Sequence, residues 1–177
     1  MSKRLVLFMP LAAIAAMLSL FAFALLTGVN PQEMDSALEG RTMPEFRLTD
    51  VNDSETMLTE ESLAGDPYLM NFWATWCPSC KWEHPYLNSL ASEGVRIIGI
   101  NYKDDRNLAV EWLRDYANPY DIDVYDPNGD LGFELGVTGA PETFFVDSSG
   151  TIQHRFQGPI DSALWESKLK AIYDAME

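Results

Sequence analysis

At 177 residues, 47% hydrophobic and 12% aromatic, the chain has material for one full core and a short accessory segment, so a single globular domain is expected. Its formal charge of −15 argues against nucleic acid as a partner and leaves solubility or a basic polypeptide as reasons for the acidic surface. Two cysteines are too few for a disulfide framework, which leaves catalysis or metal binding as their use.

Lys3 and Arg4 make a short positive head, and Leu5 to Leu26 then runs without a charge, with Ser19 its only hydroxyl-bearing side chain. At about 1.5 Å per residue, a helix of that length matches a hydrocarbon core of about 30 Å. Residues 1–29 are therefore expected to be a cytoplasmic head and an uncleaved membrane anchor. The positive-inside bias keeps Lys3 and Arg4 in the cytoplasm and sends everything after Val29 across the membrane. A cleaved signal peptide is the alternative, since Ala22-Phe23-Ala24 has the small-x-small pattern. Against it, the apolar run exceeds the usual h-region of about 7–15 residues and continues past that site.

Residues 30–43 are polar, punctuated by Pro31 and Gly40, and are expected to be a loose linker. The globular domain is assigned to 44–177. Pro44–Leu48 and Thr56–Leu58 alternate around the turn-rich Asp50–Ser54 and predict a hairpin, followed by one helical turn at Glu60–Ala64. Tyr68–Ala74 is apolar except for Asn71, as in a strand buried on both faces. From Pro78 the period becomes helical through Trp82, Tyr86, Leu87 and Leu90, up to Gly94; the β-branched Val95–Ile100 follows. Strand, helix, strand in this span predicts a parallel βαβ unit. Asp104–Ala117 reads as an amphipathic helix stopped at Asn118-Pro119, with a short strand near Val124 and a brief helix at Leu131–Leu135. Thr143–Asp147 and Thr151–Phe156 predict a hairpin, and Asp161–Met176 a last helix capped by Asp161.

The chemistry concentrates in Asn71-Phe72-Trp73-Ala74-Thr75-Trp76-Cys77-Pro78-Ser79-Cys80-Lys81. A thiol at a helix N-terminus lies beside unpaired backbone N–H groups and the positive end of the helix dipole, which stabilise its thiolate. Cys77 is accordingly expected to attack, and Cys80, one turn further in, to resolve. Pro78 and Ser79 between them tune the potential. Metal is the rival use: Cys77, Cys80 and His84 would offer three ligands to copper or zinc, as in a copper-delivery module. Covalent haem attachment is excluded, because Lys81 rather than His follows Cys80.

The Phe72–Lys81 stretch resembles the active site of the thioredoxin superfamily. Pro85 in the following helix and Gly139-Ala140-Pro141 ahead of a strand extend the match. Gly136-Val137-Thr138-Gly139-Ala140-Pro141-Glu142-Thr143-Phe144, taken with Trp76–Cys80 and Gly99–Asp104, is similar to the DsbE-type thiol:disulfide interchange proteins of cytochrome c maturation. That resemblance covers most of 44–177. It implies an α/β thioredoxin-like three-layer sandwich, a central mixed β-sheet flanked by helices, with an N-terminal hairpin extension and one N-terminal transmembrane helix. It further implies a reductase in the periplasm, held in the bacterial inner membrane. The substrates would be the Cys-x-x-Cys-His disulfides of apocytochrome c or of a maturation carrier protein. No diffusible cofactor or metal is implied beyond the redox-active disulfide, and a transmembrane thiol electron donor would re-reduce the cysteines. The alternatives are a general periplasmic disulfide reductase of the same fold, the copper-delivery module, and a redox-dead adaptor that only binds cytochrome c peptides.

By the same resemblance Pro141 is expected to be cis and, with Trp76, Pro78 and Ala140, to contact substrate. Trp73 reads as core. Thioredoxins usually carry a buried Asp where this chain has Asn71, so proton transfer at Cys80 must use another group. Glu83 and Glu142 are the candidates, and each is otherwise an ordinary exposed glutamate.

Overall fold

The computed structural model describes residues 3–26 and 38–176, in two compact units divided near Met34 and Asp35. In the first, α1 is helical over Lys3–Leu26, includes Pro10, and its Ser19 Oγ donates to Ala15 O at 2.8 Å. Among the described residues no helix is long and apolar enough to cross a membrane. The linker expected over 30–43 lies outside the described residues as far as 37. Beyond that point the chain is already paired: Gly40 N donates to Ile152 O and Met43 N to Gly150 O, with a bridge between Thr42 and Thr151.

The second unit is one sheet of seven strands in the order β2-β1-β5-β4-β3-β6-β7. The strands are β1 (Leu48–Asp50), β2 (Met57–Leu58), β3 (Tyr68–Trp73), β4 (Ile97–Tyr102), β5 (Ile122–Asp126), β6 (Glu142–Val146) and β7 (Ile152–Gln157). β3, β4 and β5 run parallel; β6 and β7 extend the sheet antiparallel from β3, and the β1–β2 hairpin extends it antiparallel from β5. A 3₁₀ turn (Glu60–Leu63) leads into β3. The helices are α2 (Pro78–Ser92), α3 (Arg106–Tyr116), α4 (Asp130–Glu134), and α5 (Ser162–Leu164), which passes through a π-helical turn at Trp165–Leu169 into α6 (Lys170–Asp174).

Period-two alternation sorts β3 between two cores. Leu69 and Trp73 pack with Leu87 and Leu90 of α2, Leu113 of α3, and Trp165 and Leu169 of the terminal helix. Met70 and Phe72 pack on the other face with Ile98, Ile100, Phe144, and Leu131 and Leu135 around α4. Helices on both faces of a mixed sheet give the expected three layers. Asn71, between Leu69 and Trp73, shares their face and so points toward α2.

Most boundaries shift by one or two residues from expectation, and three departures have a visible local cause. The first strand begins at Leu48 rather than Pro44, because Phe46 N turns aside to Glu60 Oε2 at 3.1 Å. β4 begins at Ile97 rather than Val95, because Val95 N still closes the end of α2 on Leu90 O after the left-handed Gly94; the strand instead continues through Tyr102. The last helix is interrupted by its π turn, which leaves Trp165, Leu169 and Tyr173 buried.

Candidate active site

β3 ends at Trp73, and a tight turn closed by Cys77 N on Ala74 O feeds α2. Pro78 occupies the first position of α2, where its missing N–H leaves no bond unmade. Cys77 is the N-cap, and its Sγ accepts from Cys80 N at 3.1 Å. This backbone donor and the helix terminus together favour negative charge on that sulfur. Cys77 and Cys80 are joined as a disulfide. Trp76 is 53% exposed beside them, with its Nε1 donating to Lys103 O, whereas Trp73 is buried and stacks on Tyr120. Pro78 is exposed as well.

Facing the disulfide is the loop that enters β6. The Ala140–Pro141 bond is cis, Ala140 O lies 3.3 Å from Cys77 Sγ, and Pro141 O accepts from Gly158 N at 2.9 Å. Glu142 is not the exposed glutamate that was one alternative: it is only 2% exposed. Its Oε1 accepts from Thr138 N and Oγ1 at 2.8 Å and from Gly139 N at 3.1 Å, and its Oε2 is forked by Arg155 Nε and Nη2 at 2.9 and 2.5 Å. Arg155 also reaches Gly136 O. The carboxylate thus holds the middle of the Gly136–Pro141 loop, while Arg155, paired with it, holds the Gly136 end.

Glu83 lies beneath the disulfide and is 1% exposed. Cys80, Glu83, His84 and Leu87 share the buried face of α2, as helical spacing dictates. Glu83 Oε1 accepts from Ile160 N at 2.9 Å and Oε2 from Asn71 Nδ2 at 3.3 Å. Burial pushes its carboxyl up to about 8, with the Ile160 and Asn71 bonds pulling the other way. Asn71 is fully used: Nδ2 also donates to Thr143 Oγ1, and Oδ1 accepts from Tyr120 Oη. Burial holds the Tyr120 phenol well above its usual range, with Glu83 and Asp123 adding to the effect.

His84 turns Nε2 to Ala117 O at 2.8 Å, and Cys77 and Cys80 are bonded to each other. The sequence offered these three as metal ligands; among the described residues no group of three or more His, Cys, Asp or Glu is placed to hold a metal. Sequence reasoning missed Tyr120, Thr143, Asp104, Arg155 and Asp123. For Arg155 a signal exists once register is known: Glu142 pairs with Gln157, so Arg155 is its diagonal neighbour on the same face.

A sulfur that caps a helix, carries a backbone N–H bond and sits against a cis-proline loop is built to exchange disulfides, so the fold and site define a thioredoxin-like protein thiol:disulfide oxidoreductase. The Redoxin family model matches residues 38–173. The chain belongs to that family and, within it, to the DsbE thiol:disulfide interchange proteins. It is 46% identical over 179 aligned positions to the DsbE protein of Vibrio cholerae, covering 99% of this chain and 97% of the relative. To that of Escherichia coli K12 it is 41% identical, covering 97% and 95%. A putative DsbE protein from Chlorobium tepidum superimposes with a TM-score of 0.64 at 22% identity, over 76% of this chain and 97% of that one, a likeness of fold.

Proposed function

We propose that the protein is held in a bacterial inner membrane by α1, with Lys3 and Arg4 cytoplasmic, and acts in the periplasm as a reductase. Its substrates are the Cys-x-x-Cys-His disulfides of apocytochrome c, or of a maturation carrier linked to them. The observation that carries this is the Cys77–Cys80 pair at the start of α2 against the Ala140–Pro141 loop, in a chain of DsbE type. The uncharged stretch from Leu5 to Leu26 supports the anchor.

In the reduced protein the Cys77 thiolate attacks one sulfur of the substrate disulfide, and the other sulfur leaves as a thiolate that takes up a proton. Cys80 then loses its proton, attacks Cys77 Sγ, and the second substrate thiol is released. Two electrons pass to the substrate, and the Cys77–Cys80 disulfide remains for a transmembrane thiol donor to reduce. Glu83 takes the Cys80 proton: a carboxyl held at about 8 lies close to the ordinary thiol value of about 8.5, which suits transfer in either direction. Glu142 is assigned to holding the substrate loop, in which Ala140 and Pro141, together with Trp76 and Pro78, contact the substrate.

A Cys80→Ala variant of the full chain, which stops at the mixed disulfide, tests this. Apocytochrome or its carrier should be captured on Cys77. A broad set of unrelated secreted proteins would replace it with a general disulfide reductase.

A further inference from the structure

Asp104 has no part in the chemistry so far, yet its carboxylate collects four donors. Thr75 N and Oγ1 reach it at 2.6 and 2.7 Å, Asp105 N at 2.9 Å and Asn101 Nδ2 at 3.0 Å, while its own carbonyl accepts from Tyr125 Oη at 3.0 Å. The preceding residue completes the grip. Lys103 sits at φ 51°, a left-handed conformation unfavourable for a side chain with a Cβ, and its N–H is fixed on Asp126 O. In that conformation its carbonyl accepts Trp76 Nε1 at 3.0 Å. The two residues immediately before Cys77 are therefore each held by the segment that leaves β4, the neighbour of β3 through the Trp73–Asn101 pair.

The ordinary use of an Asp ahead of a helix is to cap it. Here Asp105 caps α3, accepting from Asn107 N and Leu108 N, and leaves Asp104 free to face the adjacent turn. Thr75 and Trp76 have no strand or helix bonds of their own, so these contacts fix where α2 starts and hence where the Cys77 sulfur meets the Cys80 N–H.

We propose that Asp104, with the Lys103 carbonyl, is a positioning residue for disulfide exchange: it clamps Thr75 and Trp76 and so holds Cys77 Sγ in its capping geometry against the cis-proline loop. Asp104→Asn is the isosteric test, since its amide N–H groups must face either the Thr75 N–H at one oxygen position or the Asp105 N–H at the other, and a backbone N–H can only donate. Two readouts on the full chain decide it. The first is the rate at which the pre-reduced protein reduces a peptide disulfide, expected to fall by about 10- to 100-fold for a displacement on the order of 1 Å. The second is the pH midpoint of Cys77 alkylation. A released clamp costs Cys77 its backbone donor and moves that midpoint up; a carboxylate acting only through its charge would move it down on neutralisation.

Thr75→Val removes one clamp bond in a milder way and should give a smaller loss of the same kind; combined with Asp104→Asn it should add nothing further. Leu113→Ala, in the core of α3, destabilises the fold without touching the clamp and should keep its rate well below its melting temperature. The clamp is refuted by a midpoint that moves down or stays in place, by additive losses in the double variant, or by an equal rate loss in Leu113→Ala. Should Asp104→Asn not fold, the Thr75→Val rate and midpoint decide alone.

Discussion

Replacing Glu83 with Gln removes the buried carboxyl beneath the disulfide while keeping its shape, and the amide oxygen can still accept from Ile160 N. An ordinary glutamate ionises near 4.5, whereas in the folded chain burial delays Glu83 to about 8. Between those limits the folded state holds a proton that the unfolded chain has released, so raising the pH favours unfolding. The contribution is fully present below 4.5 and is lost as the pH rises through 8. At about 1.36 kcal/mol per pH unit, the loss is about 3 kcal/mol by pH 7 and about 5 kcal/mol in full. Gln cannot ionise, so the variant should gain on the wild type as the pH rises, by about 3 kcal/mol between pH 5 and pH 8. Urea unfolding of both oxidised proteins at the two pH values measures this. The same substitution should slow exchange and abolish the limb of the pH–rate profile near 8. A stability gap that is equal at pH 5 and pH 8 would refute the reasoning.

Asp123 offers a second titration away from the disulfide. It is buried in β5, accepts from Asn118 Nδ2 at 2.6 Å, and burial pushes it up to about 7. The sign is the same, with stability lost from about 3.8 to about 7, so Asp123→Asn should stabilise at pH 8, change little at pH 4, and leave exchange rates unaltered; equal stability change at both pH values would contradict this. Arg155→Met leaves Glu142 buried without its ion-pair partner and should cost about 3–5 kcal/mol in urea unfolding at pH 7. Adding Glu142→Gln should recover part of that loss; a single-variant cost below about 1 kcal/mol would mean the pair does not hold the loop.

How much of this is legible in the sequence depends on which period carries it. The α2 face is legible because Cys80, Glu83, His84 and Leu87 fall at helical spacing after a clear start at Pro78, so Glu83 beneath the disulfide follows from counting. The parallel β3–β4 pair is legible because two short apolar runs flank that helix, and a strand-helix-strand order returns the second strand parallel to the first. The Glu142 environment is not, because it depends on the β6–β7 register, and a slip of one residue would turn Arg155 to the opposite face. Nor is the Asp104 clamp, since Asp104 and Asp105 are equivalent as caps until the backbone shows which one meets the start of α3. Residues 40–43 have the composition of a linker, but their backbone N–H and C=O groups find partners near β7 that no local pattern announces.

Asn71 and Glu83 explain each other. Asn71 Nδ2 is 3.3 Å from Glu83 Oε2 in a site both residues share with Trp73 and Tyr120. An ionisable Asp on β3 at that place would put two carboxyls side by side in an apolar interior, where like charges cannot both form and one value is driven far upward. With an amide on the strand, only the helix carries the titrating group, and burial with two donors sets where it titrates. The amide also suits both protonation states, since its two ends offer a donor to the ionised carboxylate or, if turned over, an acceptor to the neutral acid. Moving the carboxyl from strand to helix places it on the same element as Cys80, one turn further along. The thiol and its proposed proton acceptor therefore keep their spacing through α2, whatever the facing loop does when a substrate binds.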